Sequence, residues 1–156
     1  MRGFIETYGT ALAGLAVFLF FVAFAPNFSN PANLLNILKQ VSFLAILGIG
    51  FTFALTTGEL DLSFANLASL AAVATGGLIH TGYPIPVAIL AGLAIGTAGG
   101  ALNGLLVTRV KVPSLIATLA IASIANGFAF FLTAGVAFVG RWDPGFVALG
   151  RAHVAG

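Results

Sequence analysis

Residues 37–79 read ILKQVSFLAILGIGFTFALTTGELDLSFANLASLAAVATGGLI. Two apolar stretches meet here with little between them but Gly58-Glu59-Leu60-Asp61-Leu62-Ser63, and that hexapeptide holds Glu59 and Asp61, half of the chain's 4 acidic residues. The flanking stretches are continuously apolar over about the 20 residues a bilayer-crossing helix needs. They do not alternate, which disfavours a transmembrane β-barrel. The fold class expected is therefore an all-α membrane protein. Two carboxylates at the centre of a bilayer would cost roughly 5 to 7 kcal/mol, so Glu59 and Asp61 must be in water, paired, or lining a cavity. Two readings follow from the residues. In one the hexapeptide is a cytoplasmic turn, with Asp61 or Ser63 as N-cap of the next span. In the other it breaks a helix beside a translocation path, where irregular backbone is tolerated only against protein or water.

The whole composition agrees with a membrane setting. Of 156 residues, 60% are hydrophobic and 6% charged, with a mean hydropathy of +1.11. A soluble domain carries about 25% charged residues. The net charge of +2 forms no patch able to neutralise a run of phosphates, which argues against nucleic-acid binding. Cys is absent, so disulfides, thiolate catalysis and Cys-ligated metals are excluded.

Polar punctuation divides the chain into five expected spans at about 10–25, 37–57, 62–79, 85–107 and 115–134, followed by an extracytoplasmic loop over 135–156. The stretch Asn27 to Asn36 is expected as a loop after Pro26, and Trp142 beside Arg141 as an interfacial anchor. Counting Lys and Arg in short loops puts the N-terminus in the cytoplasm, with Arg2, Arg109 and Lys111 inside and Arg141 and Arg151 outside. Ala23-Phe24-Ala25 has the small-residue pattern of a signal-peptide cleavage site, but Pro26 directly after it argues against cleavage.

Gly92, Gly96, Gly100 and Gly104 form a small-xxx-small stripe, expected to let another helix backbone approach closely within the bundle or in a homodimer. Asn103 lies within a turn of it and could hydrogen-bond across the packed pair. Gln40, Ser42, Thr56 and Thr57 in the second span, and Thr118, Ser123 and Asn126 in the fifth, are polar enough to touch a hydrophilic solute, although Ser and Thr more often bond their own helix backbone. Phe51, Phe53 and Phe64 flank the acidic hexapeptide as candidate constrictions. The substrate-path candidates are thus Gln40, Phe51, Phe53, Thr57, Glu59, Asp61, Ser63, Phe64, Asn103, Thr118 and Asn126. No catalytic set is legible: Gly48-Ile49-Gly50 lies inside a span without a third glycine, and His80 and His153 have no spacing partner for a metal. Neither cofactor nor metal is expected.

Four ordered stretches carry a family resemblance: Asn33-Leu34-Leu35-Asn36-Ile37-Leu38-Lys39-Gln40-Val41-Ser42, then Thr56-Thr57-Gly58-Glu59-Leu60-Asp61-Leu62-Ser63, then Asn103-Gly104-Leu105-Leu106-Val107 with Val112-Pro113-Ser114-Leu115-Ile116-Ala117-Thr118-Leu119, and finally Leu132-Thr133-Ala134-Gly135. Together they resemble the membrane permease of bacterial ABC importers of ribose, xylose and related monosaccharides. Glu59 stands where that family more often has Gly. The resemblance implies roughly ten spans in a full permease, so this chain looks like an N-terminal half. It further implies the bacterial inner membrane, an ABC ATPase subunit that hydrolyses ATP separately, an extracytoplasmic sugar-binding protein, and a second permease copy or a C-terminal half as partners. Two other functions compete with sugar import: a truncated, non-transporting membrane interaction module, and an ion-coupled secondary transporter using Glu59 and Asp61.

Overall fold

The computed structural model describes residues 2–140 and 142–151, and no strand occurs among them. Six helices follow in order: α1 (Arg2–Phe24), α2 (Pro31–Thr56), α3 (Phe64–His80), α4 (Ile85–Thr108), α5 (Ser114–Thr133) and α6 (Pro144–Arg151). The chain divides into two compact units, residues 1–48 and 49–156.

In the first unit α1 begins eight residues before the expected span. Its apolar run extends back to Phe4, and Arg2 and Glu6 lie in the first turns of the helix. The Asn-rich stretch is also more helical than expected. Asn30 Oδ1 accepts the Ala32 N–H at 2.9 Å, so Asn30 caps α2, and Pro31 at the first helical position has no N–H to leave unpaired. Before that cap the chain turns at Asn27, whose φ is 62°, and Phe28 folds back with its ring 5.6 Å from Phe18 and 5.5 Å from Phe21. Asn33 Nδ2 donates to the Phe28 carbonyl at 2.8 Å and closes the turn. No residue of α2 is buried. The large apolar side chains of α1, among them Leu15, Phe20 and Phe24, are exposed. A water-soluble monomer does not display apolar surface on this scale.

The second unit is built around α3, which packs against both α4 and α5. The starts of α3 and α5 lie together, because Thr118 reaches the Leu60 carbonyl, while the Asn103 end of α4 meets Ser63 at the start of α3. Helix α4 therefore runs antiparallel to the other two. Small residues allow the approach: Ala88, Gly92 and Gly99 of α4 and Ala117, Ala122, Ala125 and Ala129 of α5 are buried, with Leu67 and Ile121 as the larger core side chains.

Among the described residues the glycine stripe of α4 packs only in part. A Cβ at Gly92 would collide with Thr75, and one at Gly99 with Leu67, whereas nothing lies within 4 Å of a Cβ at Gly96, Gly100 or Gly104. The reason is periodicity. Each four-residue step advances about 400° around a helix of 3.6 residues per turn, so the stripe drifts by about 40° per step. Positions 88, 92, 99 and 103 stay on the contact face instead, and all four are buried.

Among the described residues four helices are long and apolar enough to cross a membrane: Phe4–Phe24, Pro31–Thr56, Ile85–Thr108 and Ser114–Thr133. Helix α3, the expected third span, has 17 residues and rises only about 25 Å at 1.5 Å per residue. The expected loop after α5 contains α6, whose start is fixed by Asp143 Oδ1 accepting the N–H groups of Gly145 at 2.7 Å and Phe146 at 3.3 Å. Trp142, the expected interfacial anchor, packs on the second unit. It is half-buried, and a Cβ at Gly76 would lie 3.4 Å from its ring, with His80 and Phe146 at 5.9 Å between ring centroids. Arg141 and residues 152–156, including His153, lie outside the described residues, as do the side chains of Arg2 and Arg151.

Gly99→Ala should lower the stability of the detergent-solubilised chain by about 1–3 kcal/mol, the usual cost of overpacking. Gly100→Ala should be neutral or stabilising, since it removes helical backbone freedom worth about 0.5–1 kcal/mol. Thermal unfolding followed by the fluorescence of Trp142, the sole tryptophan, separates the two.

Candidate functional site

Helix α2 ends where its last hydroxyls turn back on their own backbone. Thr56 Oγ1 donates to the Phe53 carbonyl and Thr57 Oγ1 to the Ala54 carbonyl, both at 2.7 Å. Gly58 then takes a φ of 80°, in the left-handed region that a side chain disfavours. Residues 59–63 are not helical, and α3 starts at Phe64.

Within this break Asp61 and Ser63 form a tight turn. Asp61 Oδ1 accepts the Ser63 backbone N–H at 2.8 Å and the Ser63 hydroxyl at 2.7 Å. Ser63 is fully buried, and its Oγ accepts a hydrogen bond from Asn103 Nδ2 at 2.6 Å across to α4. A serine hydroxyl has one proton. Because that proton points to the carboxylate, the oxygen lone pairs are left to receive the amide N–H, which fixes which way the Asn103 amide faces. Its own Oδ1 remains buried without a hydrogen-bond partner. On the other side Thr118, buried in α5, shares its hydroxyl proton between the Ser114 carbonyl at 2.8 Å and the Leu60 carbonyl at 3.4 Å. The broken segment is thereby tied to α4 through Ser63 and to α5 through Leu60. The Asp61 carboxylate also lies just before the N-terminus of α3, where the helix dipole favours negative charge.

The expected path residues therefore separate into groups. Asp61, Ser63, Asn103 and Thr118 come together as one hydrogen-bonded lock. Ser63, Asn103 and Thr118 are buried and Asp61 half-buried. Phe51 and Phe64 pack beside the break with ring centroids 4.9 Å apart and ring planes tilted by 31°. Glu59, Thr57 and Phe53 are exposed, and Thr57 is bonded to its own helix. Gln40 is exposed on the part of α2 that belongs to the first unit. Asn126 is exposed on α5 and shares a groove of about 260 Å³ with Ser69 of α3. Sequence reasoning missed Ser69 and the Leu60 carbonyl, and noted Gly99 only as a neighbour of the glycine stripe. Ser69 had a legible signal, a hydroxyl in an apolar span. The backbone carbonyl had none.

An all-helical chain with four span-length apolar helices, and a polar break held between two of them and a shorter one, is a segment of a multi-pass membrane protein. Comparison with known sequences makes this specific. Residues 33–141 match the family described as branched-chain amino acid transport system / permease component, and the chain belongs to that family. The family is one of transport permease components and not of enzymes. The chain is 34% identical over 156 residues to the ribose import permease protein of Bacillus subtilis (strain 168), an alignment covering 99% of this chain and 48% of that protein. It is 35% identical over 134 residues to the autoinducer 2 import system permease protein of Enterobacter sp. (strain 638), covering 86% of this chain and 38% of the relative. With the L-arabinose transport system permease protein of Escherichia coli (strain K12) it shares 32% identity over 148 residues, 95% of this chain and 45% of the relative. The chain thus spans about half the length, or less, of these curated relatives. No solved structure matches it.

The lock separates the charge of Asp61 from its geometry. Asp61→Asn keeps an oxygen that can accept both Ser63 bonds, so membrane abundance and melting should stay near wild type. Asp61→Ala leaves the buried Ser63 N–H and hydroxyl unpaired and should destabilise by about 1–3 kcal/mol. Equal melting temperatures for the alanine and asparagine variants would show that the lock does not hold the fold.

Proposed function

We propose that the chain is the N-terminal half of the permease component of an ATP-binding-cassette importer for a sugar-like, polyhydroxylated solute. The observation that carries this reading is the 34% identity to a ribose import permease sustained over 99% of this chain, supported by similarity to arabinose and autoinducer 2 import permeases. The protein performs no chemistry on the solute. It forms the translocation path in the bacterial inner membrane with a second permease copy, takes the solute from an extracytoplasmic binding protein, and is driven by a separate ATPase subunit. The N-terminus lies in the cytoplasm, on the same side as Arg109 and Lys111 of the α4–α5 turn.

An ion-coupled carrier using Glu59 and Asp61 as proton sites is less well supported. The Asp61 carboxylate is already engaged by two hydrogen bonds from Ser63, and the relatives are import-system permeases. The family description names branched-chain amino acids, while these relatives are named for ribose, autoinducer 2 and arabinose, so solute class is the point to test. Deleting the reading frame from its host should abolish concentrative uptake of a labelled monosaccharide and leave leucine uptake unchanged. The uptake should collapse on ATP depletion and survive a protonophore at constant ATP. Loss of leucine uptake alone would overturn the sugar assignment, and loss with the protonophore would favour the ion-coupled carrier.

A further inference from the structure

Polar side chains in α4 and α5 mostly return their protons to their own helix: Thr97 to the Leu93 carbonyl, Thr108 to Gly104, Ser123 to Leu119 and Thr133 to Ala129. Ser69 of α3 and Asn126 of α5 make no such bond, and both are exposed. They face one groove between these two parallel helices, which also has Val73, Phe130 and Thr133 on its wall. Asn126 lies twelve residues beyond Ser114, about 18 Å along α5 at 1.5 Å per residue, which places it near mid-span. An amide without a partner is disfavoured in hydrocarbon, where no water can satisfy it.

Two features decide what occupies this groove. It runs from mid-span to Gly135, Val136 and Ala137, the non-helical segment just past the end of α5, so one end of it lies at the edge of the span, within reach of water. Small residues line much of the groove, as in a helix-packing seam: Ser69, Ala129, Thr133, Gly135 and Ala137. It differs in leaving the Ser69 hydroxyl and the Asn126 amide without a hydrogen bond beside the Phe130 ring. The chain's open small-residue face is on α4, at Gly96, Gly100 and Gly104. Here an aromatic ring and branched aliphatics surround an amide and a hydroxyl, with no charged residue, the mixture by which proteins hold small neutral polar ligands.

We propose that the α3–α5 groove is a solute-contacting wall of the translocation path, in which the Asn126 amide and the Ser69 hydroxyl hydrogen-bond the hydroxyl groups of a neutral polyhydroxylated solute beside the Phe130 ring. The inference rests on the importer reading above and adds to it the site and the residues. It also separates Asn126, which faces the solute, from Thr118 one helix stretch earlier, which holds the fold.

These 156 residues contain no cysteine, so a direct test is available once any cysteine in the rest of the permease has been replaced by serine. Ser69→Cys, nearly isosteric, and Asn126→Cys are introduced singly into the permease in membrane vesicles with its ATPase and binding protein, alongside Phe131→Cys on the exposed apolar face of α5 and Val139→Cys in the segment after it. A membrane-impermeant thiosulfonate should modify the Ser69 and Asn126 variants about tenfold faster than the Phe131 variant, because a thiolate forms in water and not in lipid. D-ribose or L-arabinose, whichever the unmodified protein accumulates, should slow both reactions by about threefold or more through occupancy of the groove. Cysteines at 69 and 126 as unreactive as at 131 would show the groove covered by lipid or another helix and overturn the proposal. Fast modification that an accumulated sugar does not slow would overturn the solute contact. Asn126→Ala should raise the KM for uptake about tenfold at unchanged abundance, as expected for loss of a hydrogen bond made to the bound solute; an unchanged KM counts against it. If the parent accumulates no sugar at all, the importer reading fails together with the solute assignment. Sugar accumulation with unreactive cysteines leaves that reading standing and removes only the groove.

Discussion

One hydroxyl organises the second unit. Ser63 is fully buried at the point where the backbone stops being helical, gives its proton to Asp61 and receives one from Asn103. Each bond sets the direction of the next, so the carboxylate decides the orientation of the serine hydroxyl and the serine decides that of the asparagine amide. A non-helical segment packed against apolar helices would otherwise leave buried polar groups unpaired. Bonding it sideways to α4 and α5 allows α2 to end and α3 to begin within a few residues. The close packing of α3 against both neighbours then requires the small residues found there: Gly92 and Gly99 on one side, Ala117, Ala122, Ala125 and Ala129 on the other.

This arrangement places the acidic hexapeptide between the two readings the sequence left open. Neither Asp61 nor Ser63 caps α3 with its side chain: Asp61 accepts the N–H and hydroxyl of the residue before the helix, closing a turn, and that serine reaches across to another helix. Turn and tertiary clasp are the same atoms. Glu59, two residues earlier, takes no part and is exposed. The pair that looked equivalent in sequence is divided by burial.

The helices were legible because hydrocarbon leaves the backbone few alternatives, and runs of about 20 apolar residues declare themselves. Their ends were less so. Asn30 and Asp143 each start a helix by an N-cap bond that needs only a local turn, and both lie in stretches whose polarity suggested loop. The glycine stripe was misleading for a geometric reason: a spacing of four is conspicuous in a string of letters, while the surface that packs follows a spacing nearer 3.6 and includes Gly99 and Asn103. The lock itself joins residues 40 positions apart. Composition placed Ser63 and Asn103 among the polar candidates, but only tertiary structure shows that they are partners, and that Asn126 belongs elsewhere.

The shortness of α3 bears on how this protein meets its bilayer. A helix of 17 residues falls several ångströms short of a hydrocarbon layer about 30 Å thick, and a lipid-facing helix so mismatched must thin the membrane or pull polar groups inward. Helix α3 is spared part of this by position: α4 and α5 cover two of its sides, its start is bonded to both, and its end carries Phe138 and Trp142 against Gly77 and Gly76. Hydrophobic thickness is set by the longer helices around it. The middle of the bundle is thereby relieved of matching the lipid, and its polar ends can sit deeper than those of any helix that faces the acyl chains.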